Sequence, residues 1–289
     1  MARLKMRLLS MLSFFCLSGC KPANHLQSNR SEAALHVIGG QEARPLQFPA
    51  TLFIPGCSAA KIGARHMLTA AHCILDDDGQ LERAYEPGQT FTVYDGVKLA
   101  TAQQMKVEVV QAVAHPQFVK EIANGGRHFE NYADVAVIRV KSLPDHIPSA
   151  VIQADGVAGG ESIIFTGYGC EELPAHLDVL NSDFGRTLTG DEERYGSHRL
   201  KYKEVNVAQR QDVMLVIRNE LSADVFVENT AEKRFSGCPG DSGSAAYING
   251  GRTIVGVNSF INPLNSYITR LDRQAGHSVY EWVHQQLSL

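Results

Sequence analysis

Residues 237–244 read GCPGDSGS. They place an acid, Asp241, directly before a hydroxyl, Ser242, and surround the pair with Gly237, Gly240 and Gly243. Gly-Asp-Ser-Gly is sound turn chemistry and needs no function. The same residues can present a nucleophile on a backbone hairpin whose N–H groups aim at a developing oxyanion. That second use requires a base and an orienting acid from elsewhere in the chain. HMLTAAHC (66–73) offers the base: an apolar strand end runs into His72 beside Cys73. NYADVAVIRV (131–140) offers the acid: Asp134 opens an apolar strand, where an unpaired buried carboxylate is costly. Taken singly, each stretch also has a plain structural reading: a turn, a packed histidine and a solvated strand-edge acid.

These side chains need a scaffold to bring them together. Past residue 45 the chain is mostly short apolar or alternating runs rich in Val, Ile and Thr. They are ATLFIPG (50–56), TFTVYDG (90–96), MKVEVVQAV (105–113), DVAVIRV (134–140), ESIIFTGYG (161–169), RLKYKEVNV (199–207), DVMLVIRN (212–219) and RTIVGVNSF (252–260). Turn residues separate them, the signature of an antiparallel sandwich or barrel. KSLPDHIPSAV (141–151) reads as a linker between two β units, and 171–198 as a polar loop insertion. At 275–287, Val279, Trp282, Val283 and Leu287 recur at helical spacing, which predicts a terminal helix with Trp282 in its packed face. His115, before Pro116, reads as a surface or strand-end residue.

At 289 residues the chain has room for one large or two small domains with a real core. With 44 % hydrophobic and 20 % charged residues, its composition is that of an ordinary globular protein. The net charge of −4 gives no basic footprint for nucleic acid. No repeat, heptad run or low-complexity tract stands out. The start is basic (Arg3, Lys5, Arg7) and then apolar, LLSMLSFFCLSGC, too short to span a bilayer as a helix. It reads as a signal peptide over 1–19. Its end, LSGC (17–20), resembles the lipobox of bacterial lipoproteins, a class in which Cys20 becomes the lipidated first residue. Cys57, Cys73, Cys170 and Cys238 remain, and an even number in an exported chain suggests two disulfides. The acids of LDDDGQLE (75–82) fit no full calcium-loop spacing and read as a solvated loop. No metal and no other cofactor is expected.

VIGG (37–40), LTAAHC, ADVAVI, GYG (167–169), GCPGDSGS, VGVNSF (255–260) and YITRL (267–271) together resemble, in the same order, the chymotrypsin/trypsin family of serine proteases. The resemblance covers residues 37–289 and implies an all-β fold: two antiparallel six-stranded β-barrels, about 37–145 and 146–289, with a C-terminal α-helix. The site would lie in the cleft between them. His72 and Asp134 would come from the first barrel and Ser242 from the second, as general base, orienting acid and nucleophile. The N–H groups of Gly240 and Ser242 would form the oxyanion hole. Cys57 and Cys73 match the family bridge that pins the base. Cys170 and Cys238 are left for each other, a departure from the commonest family pattern, in which the Cys near the nucleophile pairs with a later one. The loops that carry them lie close together in the family fold. The rival hydrolase motif G-x-S-x-G fails, because residue 244 is Ser. A catalytically silent homologue serving as a surface adhesion or binding module is the alternative, and such homologues usually lose a triad residue.

By the same resemblance Ser236, six residues before Ser242, stands where trypsin-like members place Asp, with Ser259, Phe260, Ile261 and Ser266 around the substrate pocket. Without a buried carboxylate, and with Ile261 narrowing the slot, the expectation is cleavage of a protein or peptide substrate after small or medium apolar residues. Scission between His36 and Val37 would free an ammonium to pair with Asp241 and order the oxyanion loop. Segment 20–36 would then be a lipid-anchored propeptide, and 37–289 the protease domain. The precursor would sit in the cell envelope as a membrane-anchored lipoprotein, with Lys21 after the lipidated Cys pointing to the outer membrane. The activated form, a monomer, would be periplasmic or extracellular.

Overall fold

A computed structural model of the chain describes residues 40–126, 131–169, 199–219, 237, 240–262 and 264–289. A two-residue strand, β1 (Gln41–Glu42), is followed by β2 (Thr51–Ile54), β3 (Cys57–Gly63), β4 (His66–Thr69), β5 (Thr90–Asp95), β6 (Gln103–Ala114) and β7 (Ala136–Val140). From β2 onward these close into a six-stranded antiparallel barrel in the order β2-β3-β4-β7-β6-β5. Burial alternates along β5 and part of β6 and is nearly continuous along β3, β4 and β7, and Leu52, Ile54, Ala60, Leu68, Val93, Val109 and Ile138 are buried in its core.

The remaining strands are β8 (Val151–Ile152), β9 (Ser162–Gly167), β10 (Lys201–Asn206), β11 (Gln209–Arg210), β12 (Met214–Arg218), β13 (Ala245–Ile248), β14 (Thr253–Ile261) and β15 (Asn265–Arg270). With β1 they form a nine-stranded sheet in the order β1-β10-β9-β13-β14-β15-β12-β11, and β8 pairs parallel to β14. Its strands β12 to β15 are buried on both faces along most of their length. Along β12, Met214 and Val216 join the large core that includes the first barrel, while Leu215 and Ile217 join a separate cluster with Phe165, Val255 and Ile268. A strand covered on both sides needs an unbroken apolar run, and MLVI is one.

The stretch 141–150 leads from β7 to β8 and is fastened by Lys61 of β3. This lysine is buried, and its Nζ donates to the carbonyls of Pro144 at 2.8 Å and Ile147 at 2.7 Å. Among the described residues there are two α-helices, α1 (Pro116–Ala123) and the expected terminal helix α2 (Val279–Leu287). Val279 and Val283, one turn apart, bury one face of α2, and Trp282 packs against the core beside them.

α1 has no counterpart in the sequence reading, and its cap corrects the expectation for His115. That residue does follow a strand end, but it is only 4 % exposed. Its Nδ1 accepts from Gln117 N–H at the start of α1, and its ring meets Trp282 edge-on at 4.9 Å. Burial lowers its pKa to about 4. The polar insertion at 171–198 lies outside the described residues.

Candidate active site

His72 lies in a single 3-10 turn, Ala71–Cys73, that follows β4 after Ala70. Cys73 is bonded to Cys57 at the start of β3, so a covalent link across 16 residues fixes the turn to the barrel wall. The expected Cys57–Cys73 bridge is therefore present. Cys170 and Cys238 lie outside the described residues.

Asp134 precedes β7, is fully buried, and gathers donors from three directions. His72 Nδ1–H donates to its Oδ2 at 2.7 Å, and the His72 backbone N–H donates to Oδ1 at 3.0 Å. Ser259 Oγ–H donates to Oδ2 at 2.5 Å. Thr269 Oγ1 from β15 donates to the Asp134 carbonyl at 3.0 Å, tying this segment to the second sheet. Burial alone would raise the Asp134 pKa. The His72 charge and the hydrogen bonds from His72 and Ser259 outweigh it and hold the carboxyl below its ordinary value. For His72, burial lowers the pKa, but the Asp134 charge and hydrogen bond outweigh that and raise it above the usual imidazole value. With Nδ1–H committed to Asp134, the proton-accepting lone pair of neutral His72 is on Nε2, which lies 3.8 Å from Cys73 Sγ.

Ser259 reaches Asp134 because of a local irregularity. The pairing of β14 with β15 shifts register between Asn258 and Phe260, so Ser259 is the extra residue of a β-bulge. Bulges re-aim side chains in this way beside functional sites. The carbonyl of the same residue accepts from Ser242 Oγ at 3.4 Å. Ser259, expected among the substrate-binding residues, thus touches both the acid and the hydroxyl.

The turn that carries Ser242 is held by the first barrel. Ser58 N–H donates to the Ser242 carbonyl at 2.8 Å, and Ser58 Oγ donates to the Gly240 carbonyl at 2.9 Å. Thr69 Oγ1, three residues before His72, donates to the Ser58 carbonyl at 2.8 Å. One chain of hydrogen bonds therefore ties the Ser242 turn to the strands that lead to the imidazole. Gly240 has φ +93° and Gly243 φ +79°, backbone that L side chains rarely adopt. Gly243 is also needed for room: a Cβ there would meet Thr69 Oγ1 and the Ser58 carbonyl well inside the 3.0 Å that real Cβ atoms keep. Ser58 and Thr69 escaped the sequence reading. Their only signal was a small polar residue inside an apolar strand.

Asp241 points away from Ser242 and is buried. Its Oδ1 accepts from Gly169 N–H at 2.9 Å. A Cβ on Gly169 would lie 2.6 Å from the Asp241 carboxyl carbon, so Gly-Tyr-Gly leaves the space this carboxylate fills. Val37, expected to pair with Asp241, lies outside the described residues.

Gly237 faces Ile261 closely: a Cβ on Gly237 would come within 2.7 Å of Ile261 Cγ2. Gly237 N–H donates to Ser266 Oγ at 3.1 Å, and Ser266 Oγ–H donates to Asn219 Oδ1 at 2.7 Å. Phe260 stacks flat on Tyr267, with ring centroids 4.2 Å apart. The structure thus brings Ile261, Ser266 and Gly237 together and adds Asn219. Ser236 lies outside the described residues.

Among the described residues, the one metal-like grouping of His, Cys, Asp or Glu is Cys57, His72 and Cys73, and its sulfurs are spent in the disulfide. In the 75–82 loop, Asp76 Oδ1 is occupied by the N–H groups of Asp78 and Gln80.

A family profile described as Trypsin matches residues 37–271. Serine protease SP24D of Anopheles gambiae is 26 % identical over 231 residues, covering 78 % of this chain and 71 % of its own length. The Spaetzle-processing enzyme of Drosophila melanogaster is 22 % identical over 231 residues, covering 71 % of this chain, and the match spans only 51 % of that relative. Among solved structures, neuropsin, a serine protease expressed in the limbic system of mouse brain, superposes with a TM-score of 0.57 at 17 % identity. That match covers 86 % of this chain and 98 % of neuropsin, a likeness of fold.

Proposed function

The chain belongs to the trypsin family, and from that premise we propose that it is an exported serine endopeptidase acting through an acyl-enzyme. Ser242 Oγ adds to a peptide carbonyl as its proton passes to His72 Nε2. The tetrahedral adduct collapses, the C–N bond breaks, and His72 returns the proton to the leaving amine. Water then attacks the ester by the same route, and Ser242 recovers its proton. Asp134 holds His72 with Nδ1 protonated and stabilises the imidazolium in each half-reaction. The N–H groups of Gly240 and Ser242 receive the oxyanion, each worth about 3–4 kcal/mol in sites of this type.

The observation that carries this reading is the coupling of two units at one point. A fully buried carboxylate binds the His72 ring and Ser259, while Ser58 and Thr69 hold the Ser242 turn to the same strands. A structural turn and a packed histidine would not call for a buried charge between them. Replacing Ser242 or His72 by Ala, with peptide hydrolysis as the assay, tests the assignment. Losses of about a millionfold in turnover are expected, since the members act as a unit. Retained turnover in a folded Ser242→Ala protein would overturn it.

The finer expectations extend the proposal. Ile261 against Gly237, and Ser236 in place of an acid, favour small or medium apolar side chains before the scissile bond. Residues 1–19 serve as a signal peptide, Cys20 carries the lipid, and 20–36 is an anchored propeptide. The domain at 37–289 becomes active once Val37 is freed to pair with Asp241, and the same cut releases it from the membrane.

A further inference from the structure

Under the Ser242 turn lies a buried polar group with no part in the proton relay. Asn258 of β14 is 3 % exposed and immediately precedes the bulged Ser259. Its Nδ2 donates to the Thr166 carbonyl at 2.8 Å and, more weakly, to the Asp241 carbonyl at 3.4 Å. Two carbonyls on one side fix which end of the amide faces them. Oδ1 is therefore left on the other side, buried and with no donor among the described residues. A buried acceptor without a donor lowers stability, and an apolar side chain of the same shape would avoid that loss. What the amide supplies in return is its pair of hydrogen bonds.

The second of these acts on the site. The Asp241 carbonyl and the Ser242 N–H belong to one planar peptide. Holding the oxygen sets the direction of the N–H on the opposite edge. The turn's own bond, Ser244 N–H to the Asp241 carbonyl at 3.1 Å, comes from within the loop. Asn258 reaches the same oxygen from a separate strand that is itself anchored. Its other acceptor, Thr166, donates from Oγ1 to the Ala245 carbonyl at 2.7 Å and accepts from Ser244 Oγ at 2.8 Å. Thr166 also leads directly into Gly167–Gly169, whose backbone holds the Asp241 carboxylate. Carbonyl and carboxylate of Asp241 are thus referred to one strand end.

We propose that Asn258 is a positioning residue for the oxyanion hole, aiming the Ser242 N–H by holding the far side of its peptide. The proposal rests on the reading of Ser242 as the nucleophile. Two variants test it: Asn258→Leu keeps the shape and removes the whole amide, and Asn258→Asp keeps Oδ1 but replaces the donor. The probe is an alkyl fluorophosphonate, whose phosphoryl oxygen enters the oxyanion site as Ser242 Oγ bonds to phosphorus and fluoride leaves. Wild type, both variants and Ser242→Ala are prepared identically from the full chain after export. For each, the maximal labelling rate, the half-saturating probe concentration and the melting temperature are measured.

Both variants should lose about tenfold in maximal rate, less than the hundred- to thousandfold of a deleted oxyanion donor. Half-saturation should stay within about twofold, and the Leu variant should fold and melt within a few degrees of wild type, because relief of the unpartnered Oδ1 offsets the lost bonds to the Thr166 and Asp241 carbonyls. An unchanged maximal rate in a folded variant would overturn the proposal. So would a loss confined to the half-saturating concentration, or failure of both variants to fold, which would make the amide a structural requirement. A wild type that labels no faster than Ser242→Ala would instead overturn the reading of Ser242 itself.

Discussion

Replacing Gly243 by Ala adds one methyl group at the point where the Ser242 turn meets the closed barrel. The added carbon would fall between Thr69 Oγ1 and the Ser58 carbonyl, with Ala70 N at 3.1 Å behind them. Ser58 O is backbone inside a closed barrel, so it cannot swing aside. The Ser242 turn must instead withdraw by about 1 Å to restore ordinary contact. That movement breaks the Ser58 N–H bond to the Ser242 carbonyl and the Ser58 Oγ bond to the Gly240 carbonyl, now 2.8 and 2.9 Å. Each broken bond costs about 1–2 kcal/mol, because its groups stay buried. The left-handed backbone adds about 1–2 kcal/mol for a residue with a Cβ. The sum is about 3–6 kcal/mol, a large part of the roughly 5–15 kcal/mol by which proteins are stable. Melting should fall by about 6–24 °C. Because a misplacement of about 1 Å can cost a hundredfold in rate, hydrolysis should fall at least that far in the protein that remains folded. Thermal unfolding and peptide hydrolysis on one preparation measure both. An Ala variant with wild-type melting and wild-type turnover would show that the turn is not registered through Ser58 and Thr69.

Neutral His72 is the working base and its pKa is raised, so activity should be complete at alkaline pH and fall as pH drops through a midpoint above about 6.5. Asp134→Asn should move that midpoint downward, and a pH–rate profile of both proteins checks the sign. In stability, the raised His72 contributes below its unfolded value and loses that contribution as pH rises through the folded one. Asp134, held low, contributes above about 3.9 and loses it on acidification, so urea midpoints measured across pH should report opposite trends for the two groups. Ile261→Ala should open the wall against Gly237 and raise cleavage after larger apolar residues relative to Ala by about tenfold or more, at roughly 0.8 kcal/mol per newly buried methylene, as read by peptide-library profiling. Fractionating cells and sequencing the N-termini of both pools should find Cys20 first in the membrane-bound, inactive form and Val37 first in the soluble, active one. Active membrane-bound protein beginning at Cys20 would refute release by activation.

The legible parts of the fold were those with a local period. ATLFIPG, TFTVYDG and DVMLVIRN became β2, β5 and β12, because alternation or an unbroken apolar run records which faces are covered. The helix at 279–287 carried its own spacing. The helix at 116–123 did not: its buried cap is His115, and burial of a polar cap depends on Trp282, which lies 167 residues further along the chain. The site divided in the same way. Asp134, His72 and Ser242 stood in recognisable short motifs. Ser259 was expected only at the substrate pocket, and its bond to Asp134 comes from where β14 takes its extra residue; Ser58, Thr69 and Asn258 gain their meaning only from which strand lies beside the Ser242 turn. Small polar residues buried in apolar strands were the only trace of them.

The central claim is that Ser242 is a nucleophile activated by His72, and its most direct test is adduct mapping. Exported protein treated with a fluorophosphonate should gain the mass of one organophosphoryl group, located by peptide mass spectrometry on Ser242. The gain should disappear in His72→Ala over the same time course. An adduct at another residue, or unmodified Ser242 in protein that hydrolyses peptides, would contradict the account.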